Sequence, residues 1–211
     1  MGKEKDMKVL IINGSPKNDG NTAIAIDEMV KKFEKEGIET EIMHIGGKDI
    51  RGCMACQKCF KDGKCVFDDA VNEVAEKLAK ADGLVLASPV YYASANGTII
   101  SFLDRLFYST AGQDKRMKVG ASIAVARRGG TSATYDELNK YFGISGMPVA
   151  SSTYWNSVHG RVPGEAAEDA EGLQTVRILA GNMAFLMKSI ALGKEKYGLP
   201  EKEAKVMTNF I

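Results

Sequence analysis

Apolar residues along the chain fall into two kinds of run that alternate. Lys8 to Ser15 reads Lys-Val-Leu-Ile-Ile-Asn-Gly-Ser, with consecutive apolar positions ended by Gly14, as expected of a parallel strand covered on both faces. Beyond a polar turn, Ile26, Met29, Val30 and Phe33 recur at helical spacing, and Gly37 closes the segment as a C-terminal cap. Ile38 to Ile45 reads as a second strand. After a loop rich in cysteine, Val71, Val74, Ala75 and Leu78 form another helical stripe, with Asp68 and Asp69 suited to its N-terminus. Gly83 to Val90 repeats the buried-strand pattern, Ile99, Ile100, Leu103, Leu106 and Phe107 mark a third helix, and Val119 to Ala126 a fourth strand. Ser132 to Phe142 reads as a helix, Pro148 to Tyr154 as a fifth strand, and a long helical region follows Glu165. Strands alternating with helices imply βαβ crossovers, hence an α/β fold: a doubly wound five-stranded parallel sheet in the order 2-1-3-4-5, with helices on both faces.

The 211 residues show no repeat, linker or low-complexity stretch, so the expectation is one domain over 1–211, with a cysteine-rich loop at 51–66. With 28 basic and 27 acidic residues spread along the chain there is no footprint for nucleic acid or an anionic membrane, and a small ligand is expected instead. The charged start leads into Val9–Ile12, a run too short for a signal peptide or a spanning helix, which predicts a soluble, cytoplasmic protein. Gly2 does not read as a lipidation site, because Asp6 stands where that pattern needs Ser or Thr. All four cysteines lie between Cys53 and Cys65, unlike a secreted disulfide framework, and read as ligands.

In such a sheet ligands bind at the carboxyl ends of the strands beside the point where the strand order reverses. The loop after strand one, Gly14-Ser-Pro-Lys-Asn-Asp-Gly-Asn-Thr22, has the composition of a phosphate cradle. It offers free N–H groups at a helix start, hydroxyl and amide donors on Ser15, Asn21 and Thr22, and the charge of Lys17. It is neither a Walker loop nor the dinucleotide Gly-x-Gly-x-x-Gly, and strand two ends His44-Ile-Gly-Gly without an acidic residue for a ribose. A mononucleotide phosphate is favoured; an ordinary capped turn with Thr22 or Asn21 as N-cap is the plainer alternative. The loop after strand three, Ser88-Pro-Val-Tyr-Tyr-Ala-Ser-Ala-Asn-Gly97, supplies two aromatics where a planar ring needs a wall. The loop after strand four, Ala126-Arg-Arg-Gly-Gly130, supplies cations and close backbone approach. Core packing for the tyrosines and a solvated surface for the arginines are the competing readings.

Gly14-Ser-Pro-Lys-x-x-Gly-Asn-Thr, Ser-Pro-Val-Tyr-Tyr followed by Phe102-Leu-Asp-Arg105, and Arg127-Arg-Gly-Gly130 together resemble the NADPH-dependent FMN reductase and iron-sulfur flavoprotein group of flavodoxin-like proteins. The resemblance runs through most of the chain. It implies FMN, with its phosphate on Ser15, Lys17, Gly20, Asn21 and Thr22. It also implies an isoalloxazine set against Pro89, Val90, Tyr91, Tyr92 and Asn96 and against Arg127, Arg128, Gly129 and Gly130. NAD(P)H is implied as an electron donor, and a homodimer or homotetramer as the assembly. Tyr154-Trp-Asn-Ser-Val-His-Gly160 is also similar to related sequences, with no role attached.

Cys53, Cys56 and Cys59 are spaced by three, and Cys65 follows after a return through Gly63, which brings four thiolates within reach of one small volume. This spacing resembles that of iron-sulfur flavoproteins, which implies a [4Fe-4S] cluster. Structural zinc and a metal-free loop stay open beside it. No residue is singled out as a general acid or base, as suits a cofactor that carries the chemistry. Three functions follow. One is a flavoprotein passing electrons between a cluster and FMN, supplied by a ferredoxin-like donor and serving a redox small molecule. Another is a cluster-free NAD(P)H-dependent FMN or quinone reductase, and the third a non-enzymatic redox sensor or carrier.

Overall fold

Strand β1 (Lys8–Asn13) leads through helix α1 (Asn21–Lys35) to β2 (Glu39–His44). The short helix α2 (Lys58–Asp62) and α3 (Ala70–Lys80) precede β3 (Gly83–Tyr91), a two-residue β4 (Ser94–Ala95) and α4 (Gly97–Ser109). Then come β5 (Val119–Ala126), α5 (Thr131–Ile144), β6 (Ser157–His159), a 3-10 turn at Glu165–Glu168 and α6 (Ala170–Tyr197). This computed structural model describes residues 7–204 and 206–209; the charged start with Gly2 and Asp6 lies outside the described residues.

The sheet order is β2-β1-β3-β5-β6, every neighbouring pair parallel, with β4 returning antiparallel on β3. Successive side chains of a strand face opposite sides, so two cores form. Val9, Ile11 and Val85 pack with α1 and α6 through Ile26, Met29, Phe33, Val176, Leu179 and Met183. Leu10, Ile12, Leu84 and Leu86 pack with α3, α4 and α5 through Val74, Leu78, Phe102, Leu106 and Phe142. By length and composition α6 would suffice to cross a bilayer, but here its apolar stripe lies along α1 and the strands.

The five parallel strands keep the expected order 2-1-3-4-5, and two details differ. A fourth, antiparallel strand exists, because the chain doubles back at Tyr92–Ala93. The fifth parallel strand is Ser157–His159, not Pro148–Tyr154. Only Val149 bridges to Gly120, flanked by bonds from Gly120 N to Pro148 O and from Ala150 N to Gly120 O, both 2.8 Å. From there to the Ala124–Ser157 pair, one strand advances four residues and the other eight. The surplus bows outward, because its polar groups find partners on α6 instead of on β5. Ser152 Oγ donates to Thr175 O at 2.7 Å, and Asn182 Nδ2 donates to Ser151 O at 2.8 Å. Tyr154 and Trp155 ride this excursion into solvent, edge to face at 4.8 Å.

Candidate functional site

The loop between β1 and α1 is folded by its own hydrogen bonds. Ser15 N donates to Asn13 Oδ1 at 2.9 Å, and Lys17 N donates to Ser15 Oγ at 3.2 Å. The segment after β2 clamps it from the side: His44 Nε2 donates to Ser15 O at 2.6 Å. A Cβ on Gly46 would stand 2.2 Å from the carbonyl oxygens of Gly14 and Ser15, so only glycine allows this approach. Helix α1 starts after Gly20, an extended N-cap that offers no side-chain acceptor to the N–H groups of the first turn. Neither Thr22 nor Asn21 is the cap. Ser15, Gly20 and Thr22 are buried at this helix start, with Lys17 exposed at its rim. The Asn21 side chain turns away: Oδ1 accepts from Gly164 N and Ala166 N at 3.1 and 3.2 Å, and Nδ2 donates to Val162 O at 3.0 Å.

Beyond β3 the chain makes a two-residue turn with both residues left-handed, Tyr92 at φ 52° and Ala93 at φ 60°. Such turns favour Asn-Gly, and each non-glycine residue held there costs on the order of 1 kcal/mol. Side chains hold the turn in place. Glu137 Oε2 accepts from Ser94 Oγ and from Ala95 N, both at 2.8 Å, and Ser88 Oγ accepts from Asn96 N at 2.9 Å. Asn96 caps α4, accepting from Thr98 N at 2.7 Å. Tyr92 is thereby pushed wholly into solvent at 105% relative exposure, with Tyr91 half exposed below it. On the other side Gly130, at φ 92°, lies so close that a Cβ would come 2.7 Å from Ala93 Cα and 2.9 Å from Val90 Cγ1. The structure thus brings Pro89–Tyr92 and Arg127–Gly130 together at one sheet edge. Arg127 and Arg128 open onto a basin shared with His159, Arg161, Glu165 and Asp169.

The cysteine loop bends through left-handed Ala55 (φ 52°) and Gln57 (φ 59°) into α2, which ends at Gly63 (φ 70°). Cys59 is buried, Cys65 partly so, and Cys53 and Cys56 are exposed, yet all four line one pocket with Phe67, Arg105 and Tyr108. Burial pushes the Cys59 thiol up, and the neighbouring charges of Cys56, Cys65 and Cys53 add to the effect. Four thiols on one pocket fit an iron-sulfur cluster in donor type and number. Their placement is more open than a ligand shell: among the described residues no three His, Cys, Asp or Glu side chains are grouped closely enough to hold a metal ion.

Residues 7–161 match the family model of the NADPH-dependent FMN reductases. The chain belongs to that family. The NADPH-dependent FMN reductase fold and cofactor make it an FMN-dependent oxidoreductase with a redox role. An iron-sulfur flavoprotein of Methanocaldococcus jannaschii is 35% identical over 191 residues, covering 87% of this chain and 99% of its own. An iron-sulfur flavoprotein of Methanosarcina thermophila is 30% identical over 194 residues, 90% of this chain and 100% of its own. The structure of RosB with a bound 8-demethyl-8-formylriboflavin-5'-phosphate intermediate superposes with a TM-score of 0.69 at 18% identity, over 97% of this chain and 92% of that one, which shows the flavodoxin-like fold alone.

In this member of the family the supports of the site were harder to foresee than its rim. His44 and Gly46 clamp the first loop from a strand end that sequence reasoning credited only with lacking an acid. Glu137 lies one residue from buried Leu138 on α5, and nothing in its neighbourhood marks it. Replacing Glu137 by Ala leaves Ser94 Oγ and Ala95 N without their charged acceptor, an expected loss of about 2 kcal/mol. Urea unfolding should show that loss, and FMN titration a weaker complex; a variant matching wild type in both would mean that the turn holds itself.

Proposed function

We propose that FMN lies across the carboxyl ends of β1, β3 and β5, with its phosphate on the first-turn N–H groups of α1, the hydroxyls of Ser15 and Thr22, and Lys17. The uncapped start of α1 over a pre-folded loop carries this reading. Asn21 contributes its backbone N–H, its side chain tying the helix start to 162–166. The ring rests between Pro89–Tyr92 and Arg127–Gly130, with Asn96 holding the hairpin's exit. Bound FMN supplies hydride and single-electron chemistry. Arg127, Arg128 and the N–H groups of Gly129 and Gly130 place positive potential beside the pyrimidine end, which favours the anionic reduced form. The loop has the composition of a mononucleotide phosphate cradle and lacks the dinucleotide Gly-x-Gly-x-x-Gly, so flavin released by denaturation is expected to be FMN; FAD in the extract, identified by chromatography, would contradict the assignment.

Cys53, Cys56, Cys59 and Cys65 are read as the thiolates that hold one [4Fe-4S] cluster, which makes the protein an iron-sulfur flavoprotein passing electrons between cluster and FMN. Their shared pocket and the names of the two archaeal relatives support this. The pocket meets α4 at Arg105 and Tyr108, about 12–16 Å along the helix from Gly97 beside the flavin wall. That separation favours an electron path completed by a second copy, hence a homodimer or homotetramer. A ferredoxin-like protein or NAD(P)H is the donor, a redox small molecule the acceptor, and the reducing cytoplasm the compartment in which such thiolates persist. The loose grouping of the thiols favours the second reading, a cluster-free NAD(P)H-dependent FMN or quinone reductase. Metal content separates the two, and steady turnover with NAD(P)H or reduced ferredoxin separates both from a non-catalytic sensor.

A further inference from the structure

Arg105 faces the core from α4, between Phe102 and Leu106, and is only 1% exposed. A buried guanidinium is costly unless its charge is paired and its donors are used. Nη1 donates to Asp69 Oδ2 at 2.7 Å and Nη2 to Asp69 Oδ1 at 3.0 Å, a forked pair. The guanidinium carbon also lies 4.9 Å from the centre of the Phe67 ring. A further bond from Nη1 reaches Arg51 O at 3.4 Å, and the other two donors are aimed at a single sulfur: Nε lies 3.4 Å and Nη2 3.3 Å from Cys65 Sγ. A neutral thiol is a weak acceptor, whereas a thiolate accepts charge-assisted bonds. Cys65 is also tied along the backbone. Its N donates to Asn72 Oδ1 at 2.9 Å, and its carbonyl accepts from Asn72 Nδ2 at 3.0 Å. A paired, buried cation has therefore been brought to one fixed sulfur, an arrangement suited to a thiolate that stays charged because it is bound to metal.

We propose that Arg105 is a positioning residue of the cysteine site, which donates hydrogen bonds to the Cys65 thiolate and so raises the reduction potential of the cluster held there. This rests on the reading of the loop as a cluster site. Hydrogen bonds to ligand sulfur draw electron density from the iron and favour the more negative, reduced state. Asp69 sets the size of the effect by offsetting the guanidinium charge. The two partners must therefore act in opposite directions: removing Arg105 lowers the potential, and neutralising Asp69 raises it.

The test is EPR-monitored potentiometric titration of anaerobically reconstituted full-length wild type, Arg105→Met, Arg105→Lys and Asp69→Asn, with iron and FMN contents measured on each. Asn keeps the helix cap that Asp69 gives Val71 N. At the wild-type midpoint the reduced-to-oxidised ratio should fall about tenfold in Arg105→Met, a shift of about 59 mV for one electron, and rise in Asp69→Asn, with Arg105→Lys between wild type and Met. FMN content should stay at wild-type level. Arg105→Met with its iron and the wild-type midpoint would overturn the proposal. If that variant cannot hold iron, Asp69→Asn decides: a raised midpoint supports the role, and an unchanged or lowered one refutes it. Wild type with full FMN and no iron would remove the cluster reading itself and this role with it.

Discussion

Ser15→Asp is expected to raise the FMN dissociation constant a hundredfold or more. Ser15 is 5% exposed, and its oxygen lies inside the turn that precedes α1. A carboxylate there would face the flavin phosphate at close range; like charges about 4 Å apart cost about 4 kcal/mol at the effective dielectric of a protein site, close to three decades in affinity. Ser15→Ala removes one hydrogen bond to the charged phosphate, worth about 1.5 kcal/mol or more, and should weaken binding about tenfold or more. Fluorescence titration of apoprotein with FMN measures both. A Ser15→Asp variant that binds as tightly as wild type would place the phosphate elsewhere.

Cys59→Ala is expected to lose nearly all bound iron while keeping a full complement of FMN. Cys59 is the buried thiol of the four and stands on α2, so it cannot be replaced by a water entering from the exposed side. A cubane that loses one of four thiolates loses a corner of its support. The flavin loops at the ends of β1, β3 and β5 share no residue with the cysteine pocket, so their geometry should survive. Iron retained at wild-type level would exclude Cys59 as a ligand, and joint loss of FMN would mean that the two sites fold as one. Iron assay and flavin absorbance on the same anaerobic preparation read both quantities.

Much of the architecture was legible because buried parallel strands are apolar at every position. Val9–Ile12, Leu84–Ala87 and Val119–Ala126 could hardly be anything else once helical stripes were found between them. Pro148–Tyr154 was misjudged for a physical reason: Val149 and Ala150 do lie beside β5, but Ser151 and Ser152 bond to α6, and the register is regained only at Ser157. The two-residue turn at Tyr92–Ala93 was invisible because its usual residues, Asn and Gly, are absent. Asn21 shows how composition can mislead about a side chain. It stands in the phosphate loop, but its amide satisfies a segment more than 140 residues away. The role of Asp69 as a helix cap was readable from its place before an apolar stripe, whereas its fork on Arg105 was not, since that contact joins two helices through the fold.

Iron and acid-labile sulfide, measured against FMN in anaerobically reconstituted wild-type protein and joined to a low-temperature EPR spectrum of the reduced state, test the pairing of cluster and flavin most directly. The expected result is about four iron and four sulfide per FMN, with a reduced-cluster signal. Full FMN with no iron and no such signal would contradict it and leave a cluster-free FMN reductase.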